Sequence, residues 1–183
     1  MTNKIFALVG PHAAGKTMLL GQLMSMGLNY IPTYTTRVPG KIDSNTQFYH
    51  FISKEEFFKL DLIVKVTYKG DYYGVRKTDV LSALQAHKIS LIILDNNGIK
   101  QLSKLLKSNL ETIYVMVDYV TLVERMLRMG HKNEDIKYHL EYAENNGEFD
   151  TWKIASYVVK NVREPRSALN QILAILSLME VLP

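Results

Sequence analysis

Four short stretches of this chain are apolar at nearly every position instead of every second one. They are residues 5–9, 89–94, 112–117 and 155–159. A strand wetted on one face alternates; a strand covered on both faces does not, so the first three read as buried strands of a parallel sheet and residues 155–159 as a fourth strand. Between them the pattern changes to a helical period. Residues 17–26 have helical composition and stop at Gly27, a natural C-cap. Helices are expected over 78–87, 98–107, 121–129 and 134–145, the third stopped by Gly130 and separated from the fourth by the polar hinge 131–133. Pro165 opens a last helix that lines up Leu169, Ile172, Leu173 and Leu176 on one face. Strands alternating with helices predict a three-layer α/β/α fold around a parallel sheet.

Residues 28–37 read as extended and are broken at Val38-Pro39-Gly40. Residues 41–80 have another texture. Tyr49, Tyr68, Tyr72 and Tyr73 stand among Phe48, Phe51, Phe57 and Phe58, and the one helix signal is a capping box, Ser53 with Glu56, opening a short helix over 53–60. This segment is expected to be a small mixed insertion with β-hairpin character. No internal repeat, linker or low-complexity segment interrupts the chain.

Composition narrows the classes of function. A chain of 183 residues with 47% hydrophobic content suits one compact domain. The net charge of +4 and pI near 9.1 suit an anionic ligand or simply a solvated surface, and no run of like charge suggests a nucleic-acid arm. There is no cysteine, which removes disulfides, zinc–thiolate sites and thiol nucleophiles. No stretch approaches the ~20 apolar residues of a membrane helix, and the apolar run at residue 5 is too short for a signal peptide. A cytoplasmic protein, monomer or homodimer, is the expectation.

The chemistry enters at Gly10-Pro11-His12-Ala13-Ala14-Gly15-Lys16-Thr17, a full match to G-x-x-x-x-G-K-[ST]. It follows an apolar strand and precedes a helix, the context its mechanism demands. Gly10 and Gly15 let the backbone turn tightly against phosphate oxygens without a Cβ in the way. The loop amides form an anion nest at the positive end of the following helix. Lys16 supplies charge for the β- and γ-phosphates, and the Thr17 hydroxyl suits Mg²⁺, a hard cation. A nucleoside triphosphate such as ATP with Mg²⁺ is therefore the expected ligand. His12 can touch phosphate or be a solvated loop histidine.

Further segments resemble the guanylate kinase family. Thr33-Tyr34-Thr35-Thr36-Arg37-Val38-Pro39 resembles its S-x-T-T-R-x-P-R-x-G-E motif. Tyr49 and Phe51 fall at its D-Y-x-F positions, and Gly70-Asp71-Tyr72-Tyr73-Gly74 resembles G-N-Y-Y-G. Leu94-Asp95-Asn96-Asn97-Gly98 is similar to the end of L-D-I-D-x-Q-G, and Val158-Val159-Lys160-Asn161 to the late V-I-V-N strand end. The matches run in order from residue 5 to 161. The resemblance implies an ATP- and Mg²⁺-dependent kinase that phosphorylates GMP. It implies a core at 1–32, 81–124 and 150–183, an acceptor-binding insertion at 33–80 and a helical lid at 125–149. It further implies that Arg37 forks onto the acceptor phosphate with help from the hydroxyls of Tyr49 and Tyr73, that Asp43 and Asp95 flank the acceptor, and that Arg125 closes on the phosphates. Asn161 is a weak clue to the donor base.

Several family positions differ. The second clamp arginine is Gly40, with Lys41 beside it. The glutamate and the serine or threonine that read guanine become Val64 and Val75, while Thr33 conservatively replaces the remaining serine. An unpaired buried guanine edge costs ~1–3 kcal/mol per group, so two such losses correspond to roughly two to four decades of affinity. The lid arginine of G-R-G is Met129, with Arg128 one residue away, and the later lid arginine is His139. Arg125 and Arg128, three apart, can share a helical face and the work of neutralising phosphate charge, or simply be solvated. Three readings stay open: a GMP kinase, a kinase of the same fold for another monophosphate or small phosphorylated acceptor, and a silent binding module.

Overall fold

The computed structural model describes residues 3–40, 48–162 and 164–177; Lys41 and Asp43 lie outside them. Strand β1 (Lys4–Val9) is the centre of the molecule. Its side chains divide by the pleat: Phe6 and Leu8 enter one core cluster, Ile5, Ala7 and Val9 the other. That two-sided burial explains the unbroken apolar run, since neither face meets water.

Helix α1 (Lys16–Ser25) follows the glycine loop and ends as expected, with Gly27 at φ +88 and its N–H donating to Met24 O. Strand β2 (Asn29–Tyr30) is short. Next come β3 (Thr33–Thr35), β4 (Tyr49–Phe51), the single turn α2 (Lys54–Phe57), and the hairpin β5 (Leu62–Tyr68) with β6 (Asp71–Arg76). The capping box is formed: Ser53 Oγ accepts from Glu56 N–H at 3.2 Å, and Glu56 Oε2 accepts from Ser53 N–H at 2.8 Å. The chain then runs through α3 (Lys77–Ala86), β7 (Ile89–Ile93), α4 (Asn96–Leu106), β8 (Leu110–Met116), α5 (Tyr119–Arg128), α6 (Asn133–Asn145), a 3-10 segment at Glu148–Lys153, β9 (Tyr157–Lys160) and α7 (Pro165–Ile175).

Two sheets result. The order β2-β7-β1-β8-β9 is parallel throughout, with β1 between β7 and β8. Because the chain leaves β1 for one side of the sheet and later crosses to the other, the end of β1 is where an open α/β sheet offers a crevice for ligands. The second sheet, β4-β3-β6-β5, is mixed: β3 runs parallel to β4 and antiparallel to β6. It carries the expected hairpin, turned at Lys69 and Gly70 with φ +50 and +81. Two further details concern the sheet edge and the insertion. The strand expected at 155–159 is β9 at the sheet edge, where Tyr157 and Val158 are exposed. The insertion also does not stand apart from the core, since Val64 and Val75 sit opposite each other across β5 and β6 and are buried in the same cluster as Ile5, Val80 and Leu102.

Gly74 is dictated by that packing. A Cβ there would sit 2.8 Å from Leu62 Cδ1 and 3.0 Å from Phe57 Cζ, so only hydrogen fits between the hairpin and α2. On the opposite face of the main sheet, Leu169, Ile172, Leu173 and Leu176 are buried as expected. Replacing Leu8, fully buried on β1, with alanine should lower unfolding stability by about 2–5 kcal/mol with an unchanged denaturant slope; chemical denaturation of the two proteins checks it.

Candidate functional site

The loop from Gly10 to Thr17 leaves the carboxyl end of β1 and is held from beneath. Arg125 Nη1 donates to the carbonyls of Ala13 and Ala14 at 3.3 and 3.2 Å, and Asn161 Nδ2 donates to Ala14 O at 2.8 Å. Arg125 Nη2 also donates to Asn161 O at 2.6 Å, which locks the two braces together. In a trans peptide the carbonyl of one residue points opposite to the N–H of the next. Pinning the Ala14 carbonyl therefore turns the Gly15 N–H to the other side, the orientation an anion nest requires, while the Ala14 N–H donates to Pro11 O at 3.2 Å within the loop. Gly10 and Gly15 have φ +138 and +96, and a Cβ on Gly15 would lie 2.4 Å from Asn161 Nδ2. Ala13 adopts φ +63, a left-handed conformation that costs a residue bearing a Cβ ~1–2 kcal/mol.

Lys16 folds over the loop and donates to Gly10 O and Pro11 O at 2.5 and 2.8 Å. Dehydration pushes its pKa down, opposed by the carboxylates of Glu148 and Asp95. Glu148 is buried, and its pKa is pushed up to about 7 by burial, against the pull of Lys16. It sits at the start of the 3-10 segment, which Thr151 ties to α4 through Asn96 Oδ1 at 2.6 Å. Asp95 caps α4 by accepting from Gly98 N–H at 2.7 Å, and Tyr142 reaches its other oxygen at 3.5 Å. The sequence reading named Asp95 but not Glu148, whose only local signal is a carboxylate placed after the glycine that ends α6.

Strands β3, β4 and β6 assemble a second cluster. The guanidinium of Arg37 lies 5.3 Å from the ring centres of both Tyr49 and Phe51, and the Tyr49 and Tyr73 rings are 6.3 Å apart. Burial raises the Tyr73 hydroxyl's pKa, while the neighbouring Arg37 charge and hydrogen bonding with Thr35 and Arg37 oppose the rise. Thr35 Oγ1 accepts from Arg37 N–H at 3.1 Å, which fixes the backbone that presents the arginine. Thr33 is buried and paired with Tyr49. Val64 and Val75 bring no polar atom here; both are packed into the core. Asp43 lies outside the described residues.

Helices α5 and α6 cover the loop. Arg125 serves as the brace described above, whereas Arg128 is exposed and pairs with Glu124 at 3.6 Å. Both lie on one helix, yet the structure does not bring them to one task. Met129 is half-exposed. His139 is buried, its ring stacks on His12 at 3.9 Å, and its Nδ1 hydrogen-bonds the Tyr68 hydroxyl. His12 is thus half-buried against the lid and not a solvated loop residue. Burial, with His139 and Lys16 nearby, pulls the His12 pKa down to about 3; burial and Lys69 pull His139 to about 4. In this arrangement both rings are neutral and contribute no charge to a phosphate. Through Tyr68, 6.4 Å from Tyr73, the lid and the second cluster meet.

The residues present fit a magnesium-bound triphosphate. Gly10 and Gly15 have positive φ, and a Cβ at either would strike the scaffold behind the loop, Val115 O at 2.9 Å or Asn161 Nδ2 at 2.4 Å, so the loop keeps its shape only with glycine there; Thr17 is exposed and brings a hydroxyl to the first turn of α1.

The guanylate kinase family profile matches residues 2–163. The guanylate kinase of Bartonella henselae is 28% identical over 163 residues, covering 86% of this chain and 73% of that protein. The guanylate kinase of Bartonella quintana is 31% identical over 166 residues, with the same coverage of 86% and 73%. Among solved structures, a guanylate kinase from Anaplasma phagocytophilum shares the fold, with a TM-score of 0.74 at 19% identity over 96% of this chain and 85% of that one.

Two outcomes follow from the geometry of the loop. Gly15→Ala should abolish detectable ATP binding by calorimetry while the protein remains folded by circular dichroism, because the new methyl meets Asn161 at a positive φ. For Glu148, a carboxyl raised in the folded state stabilises the protein fully below its unfolded pKa, and that contribution is lost as pH rises through about 7. Between pH 4.5 and 7 the loss is at most about 3 kcal/mol. Glu148→Gln should remove this part of the decline in a pH series of denaturation midpoints.

Proposed function

We propose that this chain, which belongs to the guanylate kinase family, transfers the γ-phosphate of ATP to GMP, giving ADP and GDP. The observation that carries the reading is the convergence of Arg37, just past β3, with Tyr49 of β4 and Tyr73 of β6 in one cluster joined through Tyr68 to the lid over the phosphate loop. A guanidinium with two phenolic hydroxyls suits the dianionic phosphate of a monophosphate acceptor. The division of labour expected along the chain supports it: core at 1–32, 81–124 and 150–183, acceptor-binding insertion at 33–80, lid at 125–149.

In this mechanism the loop amides and Lys16 hold the donor phosphates, and Lys16 exchanges its bonds to Gly10 O and Pro11 O for phosphate oxygens. Thr17 would hold Mg²⁺, which supplies positive charge to the donor phosphates when bound. Arg37, Tyr49 and Tyr73 hold the acceptor phosphate in line. Asp95 and Glu148 stand beside Lys16 and orient it. Aromatic rings of the lid and insertion, Tyr68, Tyr138 and Tyr142, exclude water, which limits hydrolysis of the donor. No side-chain nucleophile is needed, because positioning and charge neutralisation carry phosphoryl transfer. Asn161 acts on the donor site by bracing the loop and Arg125 by sharing that brace; Arg128 joins the phosphates only if the lid moves further. The absence of cysteine accords with work in a reducing compartment such as the cytoplasm.

A second reading, transfer to a different nucleoside monophosphate, is favoured by one observation: Val64 and Val75 are apolar and shut into the core, so neither can hydrogen-bond a guanine edge. A coupled assay with GMP, AMP, CMP and UMP separates the two. GMP should give the highest kcat/KM; a higher value for another base selects the second reading, and ATP binding without turnover on any of the four overturns both. Arg37→Ala should reduce kcat/KM for the acceptor by roughly 10²–10³-fold with ATP affinity unchanged; equal losses in both would remove Arg37 from its assigned role.

A further inference from the structure

Three histidines, one from the phosphate loop and two from neighbouring turns far later in the chain, meet above that loop. His12 comes from the loop, His131 from the turn between α5 and α6, and His139 from the second turn of α6. One ring nitrogen from each lies within 4.8 Å of the other two, and His12 Nε2 is 3.3 Å from His131 Nε2. The His131 ring stands edge-on to both of the others, at centroid distances of 5.2 and 5.1 Å. We propose that His12, His131 and His139 form a binding site for a divalent transition-metal ion, Zn²⁺ in the first place, that fastens the lid to the phosphate loop.

Two nitrogens bound to one tetrahedral zinc at about 2.05 Å lie about 3.3 Å apart, the separation already found between His12 and His131. His139 supplies an independent pointer. It is 5% exposed, and its Nε2 is buried without a hydrogen-bond partner, a condition that costs about 1–3 kcal/mol unless something fills it. Its other nitrogen, Nδ1, bonds the Tyr68 hydroxyl. When Nδ1–H donates to Tyr68, the tautomer is fixed with the Nε2 lone pair facing the cluster, the outer-shell arrangement that ligating histidines ordinarily have. The His12 and His139 rings are stacked nearly parallel, so binding requires one of them to rotate about its side chain until the third nitrogen closes to the tetrahedral distance. Three imidazoles leave a fourth position for water or an anion.

The choice of metal follows from the ligands. Imidazole nitrogen suits Zn²⁺, Cu²⁺ and Ni²⁺, whereas Mg²⁺ prefers oxygen, so the magnesium that accompanies a nucleotide does not compete for this site. Charges around it are mixed. Lys16 and Lys69 oppose a cation; Asp135, paired with Lys69 at 2.9 Å and acting on His139, offsets them. None of this depends on the identity of the acceptor or on turnover, and the inference stands or falls apart from the kinase reading.

The test uses the full chain, free of any histidine tag and of nucleotide. Zn²⁺ in equilibrium dialysis should bind at one equivalent per chain, and Co²⁺ should give the visible absorption of a low-coordinate nitrogen site. Both should persist in millimolar Mg²⁺. His131→Ala, on a half-exposed turn, should weaken Zn²⁺ binding at least about tenfold with circular dichroism unchanged, and His139→Gln should do the same. Stoichiometric binding lost in both variants supports the site. Absence of binding in the wild type, or binding that survives both substitutions, overturns it. The monophosphate panel, run in Mg²⁺ without transition metal, reports on the kinase activity separately, so failure of one leaves the other standing.

Discussion

The hold that Arg125 and Asn161 exert on the carbonyls of Ala13 and Ala14 is the constraint on which the site depends. A loop rich in glycine and alanine has little side chain with which to fix itself. Its shape has to come from outside, and here it comes from the ends of β9 and α5, two elements more than a hundred residues further along. Asn161 is placed by β9, where its own N–H bonds Met116 O on β8 at 2.8 Å. The parallel sheet thereby transmits its register directly to the phosphate loop. The Ala14–Gly15 peptide so fixed presents its N–H to the opposite side, where the anion nest would be the reverse face of a hydrogen-bonding scaffold.

The same arrangement explains why an arginine expected to act on phosphate is used differently. Residues three apart on a helix differ by about 60° around its axis, given 3.6 residues per turn. Over that arc the environment of α5 changes from the underside of the loop, where Arg125 lies, to open solvent, where Arg128 lies. Sequence spacing put both on one face; only packing shows that a face can be half interface and half surface. Over the loop the lid accordingly presents imidazole and tyrosine rings, while Arg128 faces solvent.

Much of the scaffold was legible because it is local. The buried runs, the glycine loop with its strand before and helix after, the Ser53–Glu56 capping box and the Gly27 stop each depend on a few adjacent residues, and each is formed. The grouping of Arg37, Tyr49 and Tyr73 was legible through motif resemblance, although spacing alone does not bring those residues together. The illegible parts share one property: they are made by residues distant in sequence. Glu148 beside Lys16, the meeting of His12, His131 and His139, and the Tyr68–His139 bond span 71 to 132 positions, a separation over which no periodicity carries information. Val64 and Val75 were placed by counting from a motif as base-reading positions; their pairing and common burial come from the hairpin register.

That pairing has a mechanical consequence. Because Val64 and Val75 are embedded with Ile5, Val80 and Leu102, the sheet that carries Tyr49 and Tyr73 is welded to the central sheet by shared apolar contacts. Swinging it as a separate jaw would drag those side chains into water, at roughly 25 cal/mol for each square ångström uncovered. Any opening and closing is then left to α6 and the glycine-containing turn before it, because α5 is anchored by buried Leu122 and Met126 and by Arg125 beneath the loop. In such a design the distance between the Arg37–Tyr49–Tyr73 cluster and the phosphate loop is set when the chain folds, and a ligand would change only what covers them.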